Sequence, residues 1–163
     1  MGPSRTLSWT IGAGLVAFVA LGASGQGQVA SEEEALEVAE SRSQTMKAMG
    51  KSMRTLKGFA GGRGTAEDAS AAAAVIADAA PTLPSLFPAG SGMAALPDSE
   101  SKDVIWEEWN DFVAATERLG EKAAALKAAI AGGDSGAIGA AFGDLGKNGC
   151  GGCHSKFREK RDS

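Results

Sequence analysis

The 163-residue chain has two cysteines and one histidine, and all three lie within Cys150-Gly151-Gly152-Cys153-His154. On a helix, positions i, i+3 and i+4 share a face, so both thiols and the imidazole point the same way. This is the spacing of c-type haem attachment. Two thiols one turn apart can add to the two vinyl groups of a single porphyrin as thioethers, while the imidazole beside the second reaches the iron. Random placement of two Cys and one His gives this arrangement with a chance on the order of one in ten thousand. Other chemistries fit less well. A zinc site normally takes four ligands, and here three Cys and His residues are crowded into one turn. A thioredoxin-like dithiol belongs in a βαβ unit, for which the sequence offers no strands. A Cys150–Cys153 disulfide would close a tiny loop and leave His154 without a role. The expected cofactor is one haem c per chain, with its iron, attached through Cys150 and Cys153 and ligated by His154.

Four stretches of helical spacing must position that motif, and no stretch alternates as a half-buried strand does. The first, from about Ser31 to Ala60, opens on Glu32, Glu33 and Glu34, which favour a helix N-terminus. It presents Ala39, Arg42, Met46, Met49, Met53, Leu56 and Ala60 at steps of three and four, and Gly61-Gly62 stops it. Thr65-Ala66-Glu67-Asp68 resembles a capping box with Asp in place of Glu. It predicts a short second helix over Ala71 to Ala80, ended by Pro81 and Pro84. Leu83 to Pro97, with its prolines, Gly90 and Gly92, reads as a crossover loop. A third helix carries Ile105, Trp109, Phe112, Thr116, Leu119, Ala123, Leu126 and Ile130 at an unbroken four-three step, a narrow bundle seam. Gly132-Gly133 closes it. Asp134 is a good N-cap for a fourth helix running nearly to the C-terminus, which bears the Cys and His residues. The chain is therefore expected to be all-α: one antiparallel four-helix bundle over residues 26–163, with haem c bound covalently near the C-terminal helix.

Charge and composition narrow the function. The chain has 16 Lys and Arg against 20 Asp and Glu, a net charge of −4, and 44% apolar residues. That balance excludes an electrostatic nucleic-acid binder, and the composition is that of a globular domain. Residues 1–25 read as a cleaved secretory signal: Arg5 supplies positive charge, Ile11 to Leu21 is an uncharged core, and Gly22-Ala23-Ser24-Gly25 follows. The core is too short to span ~30 Å of hydrocarbon. No second apolar stretch stands out, so stable membrane insertion is not expected. The mature protein is placed in the periplasm. With no Ser-His-Asp set, no phosphate-cradling loop and its one His committed, the chain is not expected to be a hydrolytic or transfer enzyme. Glycine, at 23 residues, is about twice the usual share. Gly139, Gly143 and Gly146 continue a four-three step into Cys150 and Cys153, so they are expected on the haem-facing side.

These motifs resemble the class II c-type cytochromes, the family of cytochrome c' and its low-spin, methionine-ligated relatives. Cys150 to Arg158 is similar to the family's Cys-x-x-Cys-His-x-x-Tyr-Arg signature, with Phe157 where Tyr is usual. Arg42-Ser43-Gln44-Thr45-Met46 resembles the Arg-x-x-x-Met/Leu/Phe pattern of the first helix, and Ile105-Trp106 with Phe112 resembles the segment opening the third. The resemblance implies a left-handed antiparallel bundle with haem between helices. It further implies His154 as proximal axial ligand, Met46 on the distal side of the iron, Arg42 beside a haem propionate, and Phe157 and Arg158 at the haem edge. Homodimers through the first two helices are common in the family, and the alanine-rich second helix suits dimer or monomer.

A single His rules out bis-histidine ligation within one chain and leaves two outcomes at the sixth position. If the Met46 sulfur binds the iron, the protein is a low-spin carrier of single electrons between periplasmic redox partner proteins. If packing holds Met46 off the iron, the haem is five-coordinate, high-spin and open to small gases such as nitric oxide or carbon monoxide. Met46-Lys47-Ala48-Met49-Gly50 resembles the low-spin branch, so electron transfer is the expected function. Met49, Met53, Trp106 and Trp109 read as packing residues. Arg158, Lys160 and Arg161 form a basic tip that suits an acidic partner or the helix C-terminus.

Overall fold

The computed structural model describes residues 27–160; the expected signal over residues 1–25 lies outside them, as do residues 161–163. Helix α1 spans Glu32–Ala60, with the Ser31 hydroxyl accepting from the Glu34 N–H at 3.2 Å. The acidic first turn complements the exposed N–H groups of the helix start. At the other end the Gly61 N–H closes onto the carbonyls of Lys57 and Gly58, and Gly62 takes the left-handed conformation at φ +80°. Arg42, Met49 and Leu56 of the expected stripe are buried, Ala39, Met46 and Met53 are half-buried, and Ala60 in the last turn is exposed.

Helix α2 spans Ala66–Ala79, starting five residues before the expected Ala71 because the capping box itself begins it. Thr65 accepts from the Asp68 N–H at 3.1 Å and donates its hydroxyl to the Asp68 carboxylate at 2.7 Å. Pro81 and Pro84 do not end the rod. It narrows into a 3-10 helix over Ala80–Leu86, where the Thr82 hydroxyl donates to Ala79 O and that of Ser85 to Thr82 O. Each hydroxyl thus bonds a carbonyl three residues back, as Ser and Thr side chains do beside helix backbone. Ala66–Leu86, with mean hydropathy 1.2, is long and apolar enough to cross a membrane by length and composition. It is thus the second apolar stretch that the sequence reading overlooked, and its Ala69, Ala72, Ala73, Ile76, Ala80 and Leu83 side chains lie in the core.

The third helix is split. A single turn, α3, covers Val104–Glu107, the backbone kinks at Glu108, and α4 runs Trp109–Gly132 to a left-handed Gly133. The expected seam faces inward throughout: all its residues are buried except Trp109, which is half-buried. The last rod has three parts. Helix α5 covers Ser135–Asp144, with Asp134 capping the Ala137 N–H at 2.7 Å. A π-helical turn follows over Leu145–Cys150, and α6 covers Gly151–Phe157. The four rods form a helical bundle without strands among the described residues.

The interior divides into two clusters. The larger joins Met49 and Leu56 of α1, the inner face of α2, Leu119 to Ile130 of α4, and Ile138 and Leu145 of the last rod. The smaller is aromatic and comprises Phe87, Ile105, Phe112, Ala115 and Phe157.

Candidate functional site

The Cys-x-x-Cys-His residues sit where the π turn hands over to α6. Cys150 packs against the larger cluster and Cys153 against the aromatic one, so the two thiols straddle the seam. Both are unoxidised and half-buried. Burial raises both thiol pKa values, that of Cys153 to about 11, so both are protonated at neutral pH. His154 is half-buried, and burial, aided by the nearby Arg158 charge, lowers its pKa and favours the neutral imidazole that binds metals. Among the described residues no three His, Cys, Asp or Glu side chains converge on a metal-sized point.

The turn is fastened to the start of α3 and α4. Lys156 bonds the Glu108 carboxylate and, at 2.7 Å, that of Asp111. The exposed Arg158 donates from Nε to Glu100 at 2.6 Å, and main-chain bonds run from Lys102 N to Phe157 O and from Glu159 N to Glu100 O. Of the expected basic tip, Arg158 is paired with Glu100 and ties down the helix end; Arg161 lies outside the described residues. Phe157 is buried and meets the Phe112 ring edge-on at 5.4 Å.

Met46 of α1 is half-buried and packs against both clusters, as Leu86 does. One turn earlier Arg42 is buried under the crossover loop. It donates to Leu86 O and Ser91 Oγ at 3.3 Å each and to Ser91 O at 2.9 Å, and stacks over Phe87 at 4.6 Å. Burial lowers its pKa to about 10. No carboxylate pairs with it among the described residues, so an anion brought by a cofactor would find an unneutralised guanidinium there.

Met46, Cys150 and Cys153 thus pack against the two clusters, His154 and Phe157 lie on α6 with Cys153, and Arg158 follows them, exposed. The structure also gives contacts of Trp106, Gly92 and Phe87 that the sequence reading did not supply. Trp106 donates from Nε1 to Phe87 O at 2.9 Å, and its ring lies where a Cβ on Gly92 would stand, 2.4 Å away. Phe87 in turn meets Phe112 edge-on at 4.7 Å. Gly92 was legible only as a loop breaker, and no pattern marked Phe87. A Cβ on Gly139 or Gly143 would meet nothing within 4 Å, while one on Gly146 would lie 3.8 Å from Met53 Cε.

Two unoxidised thiols with a neutral imidazole beside the second are the donor set through which a vinyl-bearing, iron-containing macrocycle is attached. Comparison with known proteins agrees. Residues 37–158 match the family described as Cytochrome C'. The chain is 35% identical over 125 residues to cytochrome c' of Pararhodospirillum photometricum, covering 74% of this chain and 94% of that protein. It is 43% identical over 77 residues to cytochrome c-554 of Cereibacter sphaeroides, covering 47% of this chain and 56% of that relative, little more than half its length. The fold is similar to the crystal structure of cytochrome c' from Thermochromatium tepidum, with TM-score 0.68 and 30% identity over 80% of this chain and 98% of that one.

Proposed function

Because the chain belongs to the cytochrome c' family, we propose that it carries single electrons in the periplasm, with Cys150, Cys153 and His154 holding the haem and Met46 completing the iron's coordination. Members of this family carry covalently attached haem c, and so does this protein. When bound, the haem supplies an iron that cycles between two oxidation states, and His and Met ligation raises its potential.

The chain's own residues do the rest. Cys150 and Cys153 fix the macrocycle by two bonds to one helical turn, and His154, kept neutral by burial, presents a lone pair beside them. Arg42 offers a buried positive charge for a propionate, and Phe157 closes the apolar edge. The aromatic cluster of Phe87, Phe112 and Phe157 keeps water from one side, which limits the solvent rearrangement that accompanies a change of charge. Residues 1–25 supply export. The half-exposed Leu36 on α1 and Val75 on α2 suit a homodimer through those helices.

The observation that carries this reading is Met46, a half-buried thioether packed against the same two clusters that Cys150 and Cys153 pack against. Optical spectra of the oxidised and reduced haem-loaded protein, repeated on Met46→Ala, test it. A sulfur-to-iron charge-transfer band that disappears in the variant is expected. A high-spin spectrum that the substitution leaves unchanged would refute methionine ligation and assign the chain to the five-coordinate, nitric oxide- or carbon monoxide-binding class.

A further inference from the structure

The π turn over Leu145–Cys150 interrupts an otherwise α-helical rod immediately before the haem-anchoring turn. Its effect is visible in what the rod buries. Leu145, Gly149 and Phe157 are buried and Cys153 half-buried, all at steps of four. An α-helix turns about 100° per residue, so twelve residues of it would leave Phe157 rotated about 120° from Leu145. One supernumerary residue in a wider turn absorbs about 100° of that.

The turn is held from several sides. Leu145 is fully buried. A Cβ on Gly149 would stand 3.1 Å from Leu145 Cδ1 and 3.2 Å from Leu119 Cδ1, so the rod lies close on α4 at this point. The Asp144 carboxylate accepts from Lys122 of α4 at 2.7 Å and from Asn148 within the turn at 2.5 Å. The Gly151 N–H donates to Gly146 O, five residues back.

We propose that this turn is the positioning element of the haem site. Its wider winding absorbs one residue and so keeps Cys153, His154 and Phe157 turned onto the bundle, and Gly149 is the positioning residue that lets the rod lie close enough to α4 for that winding to hold. The proposal rests on the reading of Cys150, Cys153 and His154 as the haem anchor.

It makes an asymmetric prediction. Lys147 is exposed within the turn. Its deletion lets the segment close as a regular α-helix, leaving Cys153 and Phe157 within about 20° of Leu145. Insertion of one alanine after Lys147 adds about 100° that nothing absorbs. In an ordinary α-helix the two changes would be equally disruptive. Both variants are expressed with a c-type haem maturation system, and covalent haem per chain by mass, absorption maxima, reduction potential and far-UV circular dichroism are compared with the parent. The expected result is that the deletion keeps the parent's haem content, spectrum and potential, while the insertion loses attachment or shifts the spectrum with its helical signal largely intact. A deletion that disturbs the haem as the insertion does, or fails to fold, overturns the proposal, as does an insertion that changes nothing. Absence of covalent haem from the parent itself would instead count against the haem-anchor reading.

Discussion

Replacing Arg42 by methionine separates its structural part from any part it plays at the cofactor. The side chain is 6% exposed and makes three hydrogen bonds, two of them to main-chain carbonyls. Hydrogen bonds from a charged donor contribute roughly 1.5–3 kcal/mol each, and with two of the three at 3.3 Å the set contributes about 5 kcal/mol. Stacking over Phe87 adds about 1 kcal/mol. Against this stands burial of the charge, which lowers the pKa from 12.5 to about 10 and so costs about 3 kcal/mol. Methionine keeps most of the apolar stem's packing, so the net loss is about 3 kcal/mol. At a urea dependence of about 2 kcal/mol per molar, the unfolding midpoint falls by about 1.5 M. Far-UV circular dichroism of the haem-loaded protein in urea measures it, and an unchanged slope identifies the shift as a stability effect. A midpoint within about 0.3 M of the parent would show that the crossover loop does not depend on this clamp.

Gly92→Ala places a methyl carbon 2.4 Å from the Trp106 ring. The indole must move and release Phe87 O, at a cost of about 3 kcal/mol in overpacking and lost hydrogen bonding. Urea melts and a shift in tryptophan emission report it, and an unshifted midpoint would mean that the ring has free space to move into. Asp144 is held below the usual carboxylate range chiefly by its bond to Lys122. Because its folded pKa is depressed, its contribution is present above about pH 4 and lost as pH falls through that region. Asp144→Asn should therefore lower the melting temperature slightly at pH 7 and flatten its fall below about pH 4, the variant and the parent converging in acid. An acid limb as steep as the parent's would remove Asp144 from the account.

What could be read from the sequence follows what kind of physics each feature obeys. The seam from Ile105 to Ile130 was legible because a steady α-helical phase on a long helix leaves a regular imprint. The Cys and His residues were legible because thioether chemistry fixes their spacing whatever surrounds them. The cap at Thr65 was local and legible, yet the helix start was misplaced because the cap was not used as the boundary. The π turn left no such imprint. It arises from Leu145 and Gly149 seating against Leu119 of another helix, and a reading of the last rod by itself assumes the phase that this contact changes. Arg42 lies between these cases: the pattern around it flagged the residue, but its partners, 44 and 49 residues away, are a loop carbonyl and a buried serine that no periodicity encodes.

The sixth-ligand question turns on how freely Met46 can move. Arg42 anchors α1 to the crossover loop on one side of it, and Met49 and Leu56 anchor the helix in the larger cluster on the other. The helix axis is thus held at both ends of the segment, and only rotation of the methionine side chain can carry its sulfur toward the iron. A long, unbranched thioether suits that task. Alanine removes sulfur and packing together, whereas Met46→Leu keeps most of the volume and removes only the sulfur. If sulfur ligation sets the spectrum, leucine and alanine variants both lose the charge-transfer band, and they differ only in access of carbon monoxide to the vacated side. If packing alone sets it, the leucine variant matches the parent and the alanine variant departs. The two substitutions therefore assign Met46 its role from one pair of spectra.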